Sequence, residues 1–557
     1  MTGGGHGFSP LFALVGRHRG RLVLVLVLSL AASALTLVQP WLTKRLIDDG
    51  LIGGRMDLVV LLCAQLLGAA LLSFALGALN RWHYLTLSGE VLFRLRETVF
   101  GHIQRLPPTF TARRGTGDIL SRLDGDVAEI QRFAIDGVLA AVNAALMLAG
   151  TLAVMFALSP VLMLPALLVL PLQVLLTARC RPRLEALTRS LRQASGELSR
   201  FLVESLLTIK LIQSVGAEAR EQARLAALNR SYLGDLRRAE LFAMIAGGLP
   251  GLLGGVAVAA VFVMGGAMVG HGELSVGGLV AFTIYLGKAS GPAATLTGLM
   301  LAQRRARVSL ERVAEILDEP PAVDNPAQPL PLPLPPGAAG QIHLEQVVFA
   351  YGGGPPVLNG LGAHIPAGAK VAIIGASGIG KTTLIDLLHR HYDPQAGFIT
   401  LDGIDLRRLD LHDLRRRIAV VAQDSPLIAG TIADNIRFAA PDAPDHAIAT
   451  AAERAEIAHL GLDTMIGERG ATLSGGERQR LALARALVQN PLVLILDEAI
   501  SAVDRAAGQR LCTMVDGLFA GRTRIVVSHH PDALAGSDLV LELSAAGLAP
   551  RRWEPAA

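Results

Sequence analysis

The stretch Gly375-Ala-Ser-Gly-Ile-Gly-Lys381-Thr382-Thr383 sets the architecture of the second half of this 557-residue chain. The apolar run 371–374 precedes it and residues 384–389 follow it with helical spacing, so a strand leads through a glycine-rich turn into a helix. Glycines let backbone N–H groups surround phosphate oxygens, and the helix N-terminus adds partial positive charge. We predict that this turn binds the phosphates of a nucleotide, rather than merely joining two elements.

The polar residues of this turn have separate expected roles. Lys381 is expected to reach the β- and γ-phosphates, and the Thr382 hydroxyl is expected to ligate Mg²⁺. The predicted phosphate-binding residues are Gly375, Ser377, Gly378, Gly380, Lys381, Thr382 and Thr383.

Composition indicates a membrane protein of at least two domains. The chain is too long for one ordinary hydrophobic core. It is 51% hydrophobic and 18% charged with a mean hydropathy of +0.46, values that are high for a wholly soluble protein. Its three cysteines are widely spaced and predict neither a disulfide framework nor a metal cluster. A net charge of +4 gives no reason to expect nucleic acid as a partner.

Six apolar stretches are near or above the ~20 residues that a helix needs to cross a bilayer. The first follows Arg17, Arg19 and Arg21 and has no small-residue cleavage site, which favours a membrane helix over a signal peptide. The predicted spans are Leu22–Val38, Asp57–Leu79, Val138–Leu158, Val161–Thr177, Leu241–Val269 and Leu274–Met300.

Arginine and lysine are concentrated in two long loops, at about 81–136 and 179–240. The short connections at 159–160 and 271–273 contain neither residue. By the positive-inside rule, both termini and both long loops are cytoplasmic, and a bacterial inner membrane is the expected location. Helical periodicity in the loops predicts long cytoplasmic extensions of the membrane helices.

A proline-dense segment separates two predicted domains. Proline at this density favours extended backbone, so we predict a transmembrane domain at 1–319, a linker at 320–340 and a second domain at 341–557. In the second domain, the apolar runs 371–374, 418–422, 492–496 and 524–528 alternate with helical patterns. This rhythm predicts an α/β P-loop domain with a buried, largely parallel sheet.

Two carboxylates end one of these strands, in Leu494-Ile-Leu-Asp497-Glu498. Asp497 at the carboxyl end of the strand is placed to hold Mg²⁺. Glu498, one residue beyond the sheet, is placed to orient or deprotonate the attacking water. An exposed acidic pair without chemistry is the alternative interpretation.

A second anion-binding device is predicted at Leu473-Ser474-Gly475-Gly476-Glu477. Ser474 precedes a strong helical run, so it is expected to cap that helix while Gly475 and Gly476 present free N–H groups. Without further context, this pattern also fits a plain helix cap.

Together these features resemble an ATP-binding cassette (ABC) exporter half-transporter over essentially the whole chain. Leu473–Glu477 resembles the signature motif, which implies contact with the γ-phosphate held by the other subunit. Tyr351 resembles the aromatic residue that stacks on adenine, and Gln423 resembles the glutamine that senses Mg²⁺. Asp504 lies in a segment that resembles the D-loop, and His529 resembles the switch histidine that acts with Glu498 in hydrolysis.

The resemblance implies six membrane helices followed by one ATPase domain, with Mg²⁺ and ATP as cofactors. Two copies, or one copy and a related half-transporter, are expected to close on two nucleotides and so export a substrate by alternating access. A lipid flippase or a chelate importer with the same fold is the alternative. The presence of Glu498 and His529 argues against a channel or receptor that has lost turnover.

Lys288 lies within the last predicted span. A lysine at the centre of a membrane helix costs about 2.5–3.5 kcal/mol on insertion scales, so it is expected to face a cavity or a partner. One hypothesis is that Lys288 attracts an anionic group of the cargo, such as a peptide carboxylate, a thiol conjugate or a lipid phosphate. The alternative is that Lys288 reaches the membrane interface or pairs with Asp48 or Asp49.

Asn143 and Gln173 are expected to form interhelical hydrogen bonds.

Overall fold

The computed structural model describes residues 19–330, 340–422, 425–467, 473–498, 505–528, 534–544 and 547–551. The chain divides into two compact units. The first comprises residues 1–103 and 115–318, and the second comprises 104–114 and 319–557. A short segment from the first long loop therefore belongs to the second unit.

The first unit is helical because its sequence consists of long apolar runs that continue into amphipathic extensions. Three π-helical turns, Leu46–Ile52, Arg122–Asp126 and Arg132–Gly137, interrupt the longer helices. Its helices are α1 (Arg19–Arg45), α2 (Met56–Ile103), α4 (Thr116–Ser121), α5 (Val127–Gln131), α6 (Val138–Leu158), α7 (Met163–Leu207), α8 (Ile209–Ser214), α9 (Glu218–Gly270) and α10 (Val276–Leu317), while α3 (Pro108–Arg114) lies in the second unit.

Five helical segments of the described chain are long and apolar enough to cross a membrane. They carry the first five predicted spans. The sixth long helix, α10, packs against α6 and α1 but is less apolar, since it carries Lys288 among several glycines and hydroxyl side chains. The prediction of long helical extensions is confirmed, because α2, α7 and α9 continue well beyond their apolar runs.

Polar side chains join the membrane helices at a few points. Gln173 of α7 is 8% exposed; its Nε2 donates to the Pro250 carbonyl (2.8 Å) and its Oε1 accepts from Ser290 (3.2 Å). Asn143 of α6 accepts from the Ser33 hydroxyl of α1 (2.8 Å). Both residues therefore form the interhelical hydrogen bonds that the sequence predicts.

A cluster of ion pairs joins the first long loop to the last turns of α10. Arg122 is 6% exposed and pairs with Asp118 (2.9 Å) and Glu315 (2.9 Å). Arg312 of α10 pairs with Asp118 (3.0 Å) and Asp126 (3.2 Å). Because the Arg122 guanidinium is largely removed from water, its burial depends on pairing with these carboxylates. We call this group the Arg122 cluster.

The second unit contains two main sheets. The six-stranded sheet has the order β12-β11-β3-β10-β9-β6, and the four-stranded sheet has the order β2-β1-β4-β5. The strands are β1 (Ile342–Phe349), β2 (Leu358–Ile365), β3 (Lys370–Ile374), β4 (Ala396–Leu401), β5 (Ile404–Asp405), β6 (Ile418–Val421), β7 (Gly430–Thr431), β8 (Met465–Ile466), β9 (Val493–Asp497), β10 (Thr523–Val527), β11 (Leu539–Ser544) and β12 (Gly547–Pro550).

The predicted parallel sheet is confirmed. The strands β3, β10, β9 and β6 are adjacent and parallel, and they coincide with the four apolar runs of the sequence. Helices cover this sheet, so its strands are buried on both faces and read as continuous apolar runs. The helices of the unit are α11 (Lys381–Leu388), α12 (Leu411–Arg417), α13 (Ile432–Arg437), α14 (Asp445–Arg454), α15 (Gly475–Gln489) and α16 (Arg505–Leu518).

Two histidines lie beside one another after α11. The Nδ1 of His389 is 3.2 Å from the Nε2 of His391. Burial, with the adjacent His391 and Arg415, lowers the pKa of His389 to about 3. In an unfolded chain this pKa is about 6.5. The unfolded state therefore binds more protons between these values, and the stability that neutral His389 supports is lost as the pH falls below about 6.5.

The variant His389→Gln removes this titration. Between pH 7.5 and pH 5.5 the wild type should lose about 1 kcal/mol that the variant retains, which corresponds to roughly 2–4 °C in the unfolding midpoint. Thermal unfolding of the full-length protein in detergent at the two pH values measures the difference. The exposed His446 on α14 provides the control, and His446→Gln should leave the pH dependence as in the wild type.

Candidate functional site

The glycine-rich turn lies between β3 and α11, at the carboxyl end of the parallel sheet. Gly380 has a φ of 114° at the start of α11, where an added Cβ would lie 2.8 Å from the Leu358 side chain. Gly378 has a φ of 78°, and an added Cβ there would meet no atom within 4 Å. The turn thus combines left-handed backbone with open space on the side where phosphate oxygens would be held.

Lys381 is held by the turn that it begins. It is 8% exposed, and its Nζ donates to the carbonyls of Gly375 (2.7 Å) and Ala376 (3.1 Å). The ammonium group therefore lies over the phosphate-binding turn. It can exchange these carbonyl contacts for phosphate oxygens, which are stronger acceptors for a charged donor.

Two adjacent threonines face different surroundings. Thr382 is exposed, so its hydroxyl is accessible to a metal ion, whereas Thr383 is 5% exposed and accepts a hydrogen bond from the Tyr351 hydroxyl (3.0 Å). Thr383 thus holds Tyr351 against α11. No local sequence pattern predicts this hydrogen bond, because Tyr351 and Thr383 are 32 residues apart in the chain.

Tyr351 belongs to a group of three aromatic rings. Its ring is perpendicular to those of Phe349 (4.8 Å between centroids) and Tyr392 (5.4 Å). The Tyr392 hydroxyl donates to the Thr109 hydroxyl (3.2 Å) and accepts from the Thr109 backbone N–H (3.3 Å). The residue expected to stack on adenine is therefore packed against a ring that contacts α3.

Three carboxylates surround the phosphate-binding turn. Asp497 ends β9, and Glu498 follows it with a φ of 48°, a left-handed conformation that is uncommon for a side chain of this size. The N–H of Glu498 donates to the Val527 carbonyl of β10 (2.9 Å). Strained backbone at a residue expected to act on water is consistent with a fixed catalytic position.

Asp386 on α11 is the third carboxylate, and the sequence analysis did not include it. Burial raises its pKa to about 6, with a contribution from the negative charge of Asp497. Burial and the neighbouring Glu498 likewise raise the pKa of Asp497, although the charge of Lys381 opposes this. Asp386 and Asp497 therefore bind protons more readily than isolated aspartates do, as expected where a cation normally compensates the charge. The donor set suits Mg²⁺, which prefers carboxylate, hydroxyl and water oxygens.

The predicted cap at Ser474 is confirmed. Its hydroxyl accepts from the Glu477 N–H (3.3 Å), and a Glu477 carboxylate oxygen accepts from the Ser474 N–H (2.7 Å). Ser474 is exposed, and Gly475 and Gly476 begin α15 behind it. The helix N-terminus therefore presents its partial positive charge at the surface.

Three predicted site residues, Gln423, Asp504 and His529, lie outside the described residues, and their roles remain predictions. Of the described residues, Tyr351, Lys381, Thr382 and Thr383 lie together on or against α11, with the glycines and Ser377 in the adjoining turn. The negative charge of Asp497 helps to raise the pKa of Asp386, and the positive charge of Lys381 opposes the rise in the pKa of Asp497, so Asp497 lies near this group.

Family comparisons agree with this geometry. The family described as "ABC transporter transmembrane region" matches residues 22–292, and the family described as "ABC transporter" matches residues 358–501. An ATP-dependent lipid A-core flippase of Chromobacterium violaceum is 31% identical over 95% of this chain and 91% of that protein. The chain belongs to the ABC transporter family. It is a multi-pass integral membrane protein with a fused ATPase domain that binds ATP and couples its hydrolysis to transport.

Two further similarities narrow the class to ABC exporters. A fatty acid ABC transporter ATP-binding/permease protein of Mycobacterium bovis is 32% identical over 81% of this chain and 72% of its own length. A solved structure of a bacterial Atm1-family ABC exporter with ATP bound has a TM-score of 0.76 at 27% identity, covering 95% of this chain and 94% of that one. The fold predicted from the sequence is therefore confirmed.

Proposed function

We propose that this ABC exporter works as a dimer of half-transporters that moves an amphipathic or anionic substrate by alternating access. The proposal rests on the domains that the chain contains. It has one helical membrane unit and one ATPase unit, and its sequence contains one phosphate-binding turn and one signature segment. A second copy, or a related half-transporter, supplies the facing nucleotide-binding surface. On this proposal the protein lies in a bacterial inner membrane, with both termini and the ATPase unit in the cytoplasm.

Exposed apolar side chains in the second long loop support a partner. Leu206 and Leu207 at the end of α7 are 68% and 82% exposed, and Leu211 and Val215 around α8 are 61% and 63% exposed. Such a group on an extension that lies outside the apolar span is typical of a protein interface. We assign it to contact with the second copy.

In the proposed catalytic cycle, Tyr351 stacks on adenine while the phosphates are held by the turn and Lys381. Thr382 and Asp497, with Gln423 contributing, would hold Mg²⁺, which would supply charge compensation for the transferred phosphoryl group. Glu498 holds the attacking water and takes its proton, and His529 orients this group. Ser474, Gly475, Gly476 and Asp504 contact the nucleotide of the facing copy.

A cysteine pair tests the facing arrangement. In a variant without Cys63, Cys180 and Cys512 we introduce Ser377→Cys in the turn and Ser474→Cys at the cap. Addition of Mg·ATP should produce an oxidised species of twice the 58.6 kDa mass of the chain. Ser377→Cys alone is the control. If only intrachain bridges or no nucleotide-dependent bridge form, the two-copy proposal is wrong.

Lys288 is the proposed contact for an anionic group of the cargo. It is partly buried on α10, and no acidic side chain pairs with it within the described residues. The alternative partners are already engaged: Asp48 contacts Lys44 (3.8 Å) and accepts from the Gly277 N–H (2.8 Å), and Asp49 pairs with Arg45 (3.1 Å). A cation without a partner at this depth supports an anionic ligand.

The Lys288→Ala variant should lose most of the cargo stimulation of ATP hydrolysis, whereas Lys288→Arg should retain most of it because the charge remains. The measurement is ATPase activity in proteoliposomes with panels of anionic lipids, peptides and thiol conjugates. Basal hydrolysis is the control for both variants. Stimulation of Lys288→Ala equal to that of the wild type would remove Lys288 from the cargo pathway.

Lipid flipping is the second candidate function. It is favoured by the similarity to the lipid A-core flippase and is compatible with the same lysine, since a lipid phosphate is an anion. The panel separates the two candidates, because a flippase responds to lipids and not to soluble peptides or conjugates.

A further inference from the structure

A cavity of about 350 Å³ with a mixed polar and apolar lining lies among α1, α2, the π-helical turn Arg132–Gly137 and the start of α6. This volume is at the lower end of the ~300–1,000 Å³ range of small-ligand pockets. All three helices belong to one chain and one unit, so the cavity requires no partner. Its polar lining residues are Ser29, Asn80, Arg81, Tyr84, Asp136 and Asn143.

The cavity lies at the level where lipid headgroups meet the protein. Arg81 comes just after the apolar run 57–79, and Asp136 comes just before the apolar run 138–158. Trp82 beside Arg81 is 72% exposed, and exposed tryptophan is typical of the membrane interface. Since α2 continues from Arg81 into the long loop at 81–136, the cavity is at the cytoplasmic side of the membrane on the proposed topology.

Two opposite charges line the cavity without neutralising one another. Within the described residues, neither Arg81 nor Asp136 forms an ion pair within 4 Å. Tyr84 lies beside both: the Arg81 guanidinium carbon is 5.2 Å from the Tyr84 ring centroid, and Asp136 is close enough to influence the Tyr84 hydroxyl. Asp136 also accepts from the Gln131 amide (3.2 Å). The positive and negative groups are therefore held apart.

A second observation points to a missing hydrogen-bond donor. The Oδ1 atom of Asn80 is buried and has no hydrogen-bond partner in the described part of the chain. Buried polar atoms are normally satisfied, and each exception calls for a partner such as a ligand or a water molecule. The carboxylate of Asp136 is a further acceptor on the same cavity. The lining thus offers one cation and two acceptors.

We propose that this cavity binds the headgroup of phosphatidylethanolamine, with the phosphate on Arg81 and the ammonium group on Asp136 and Asn80. The separated charges match a zwitterion with its phosphate and amine apart. The two acceptors select a primary ammonium, which donates N–H bonds, over the trimethylammonium of phosphatidylcholine, which has no N–H. Phosphatidylglycerol supplies the phosphate but no cation for Asp136. The site is separate from the proposed cargo contact at Lys288.

Native mass spectrometry of the full-length protein tests the proposal with lipids of identical acyl chains. The wild type without nucleotide should retain phosphatidylethanolamine about tenfold more than either phosphatidylcholine or phosphatidylglycerol. Asp136→Asn should bring the ethanolamine and glycerol lipids to within about twofold of one another. Arg81→Gln should weaken retention of all three lipids. Arg94→Gln, on an exposed position of the same helix, should leave the preference unchanged.

Equal retention of the three lipids by the wild type would overturn the proposal, as would an unchanged preference in Asp136→Asn. If Asp136→Asn does not fold, Asn80→Leu provides the second test, because it removes the unpaired acceptor and leaves no new polar atom buried. It should lower the ethanolamine preference several-fold, and an unchanged preference would contradict the assignment. Binding is measured without ATP, so the result is independent of dimer closure and of the cargo.

Discussion

Glu498→Gln should reduce ATP turnover by roughly 10³-fold while ATP binding remains close to that of the wild type. General-base catalysis contributes about 10²–10⁴-fold, and an amide oxygen accepts a proton far less readily than a carboxylate. Binding should persist because the substitution leaves intact the turn and Lys381, the proposed contacts for the phosphates. Glutamine has the same shape, so the left-handed backbone at this position (φ 48°) is not further strained.

The measurements are steady-state phosphate release and equilibrium binding of a fluorescent ATP analogue in detergent. Glu456→Gln is a matched control, since Glu456 is also a left-handed glutamate (φ 56°) and its side chain is 60% exposed. It should hydrolyse ATP at the wild-type rate. Turnover in Glu498→Gln within a few-fold of the wild type would assign the base to another residue.

Arg122→Met should destabilise the first unit by about 3 kcal/mol. Removing one partner of a largely buried ion pair leaves the remaining charges uncompensated, which typically costs 3–5 kcal/mol. We expect the lower end of this energy range, because about half of the Glu315 side chain (52%) is exposed and Arg312 still pairs with Asp118. In thermal unfolding this loss corresponds to roughly 5–10 °C.

The control for this variant is Arg307→Met on α10, the helix that carries Arg312 and Glu315 of the Arg122 cluster. Arg307 pairs with Glu311 (3.2 Å), but the two side chains are 76% and 64% exposed. Exposed pairs at this spacing contribute only about 0.3–0.5 kcal/mol, so its midpoint should change by about 1 °C. Similar midpoints for the two variants would show that the Arg122 cluster does not stabilise the unit.

The sequence predicted the strands of the parallel sheet because each is an unbroken apolar run, as burial on both faces requires. It did not predict β1, β2 and β4. Their sheet is antiparallel, and alternation of buried and exposed residues, with His343 and Glu345 among them, weakens the apolar signal. The sequence also predicted a helix at the sixth apolar stretch; the helix is present as α10, but it is not among the five described segments apolar enough to cross a membrane, and its role as a span stays a prediction.

At the site, local motifs predicted the turn, the cap at Ser474 and the pair Asp497–Glu498, because these depend on adjacent residues. Asp386 was missed, since its raised pKa depends on burial and on Asp497, which is distant in sequence. The sequence feature that could have indicated this buried carboxylate is an aspartate within the otherwise apolar pattern Leu384-Ile-Asp-Leu-Leu. The bond between Tyr392 and Thr109 joins segments 283 residues apart and has no local signature.

The position of α3 in the second unit has a practical consequence for truncated forms of the protein. A fragment that begins at residue 319 omits α3, and with it both hydrogen bonds to the Tyr392 hydroxyl. Tyr351, which packs against the Tyr392 ring, would then lose part of its support. ATP affinities obtained from such a fragment would describe a differently assembled form of the proposed adenine site, so biochemical work on nucleotide binding calls for the intact polypeptide.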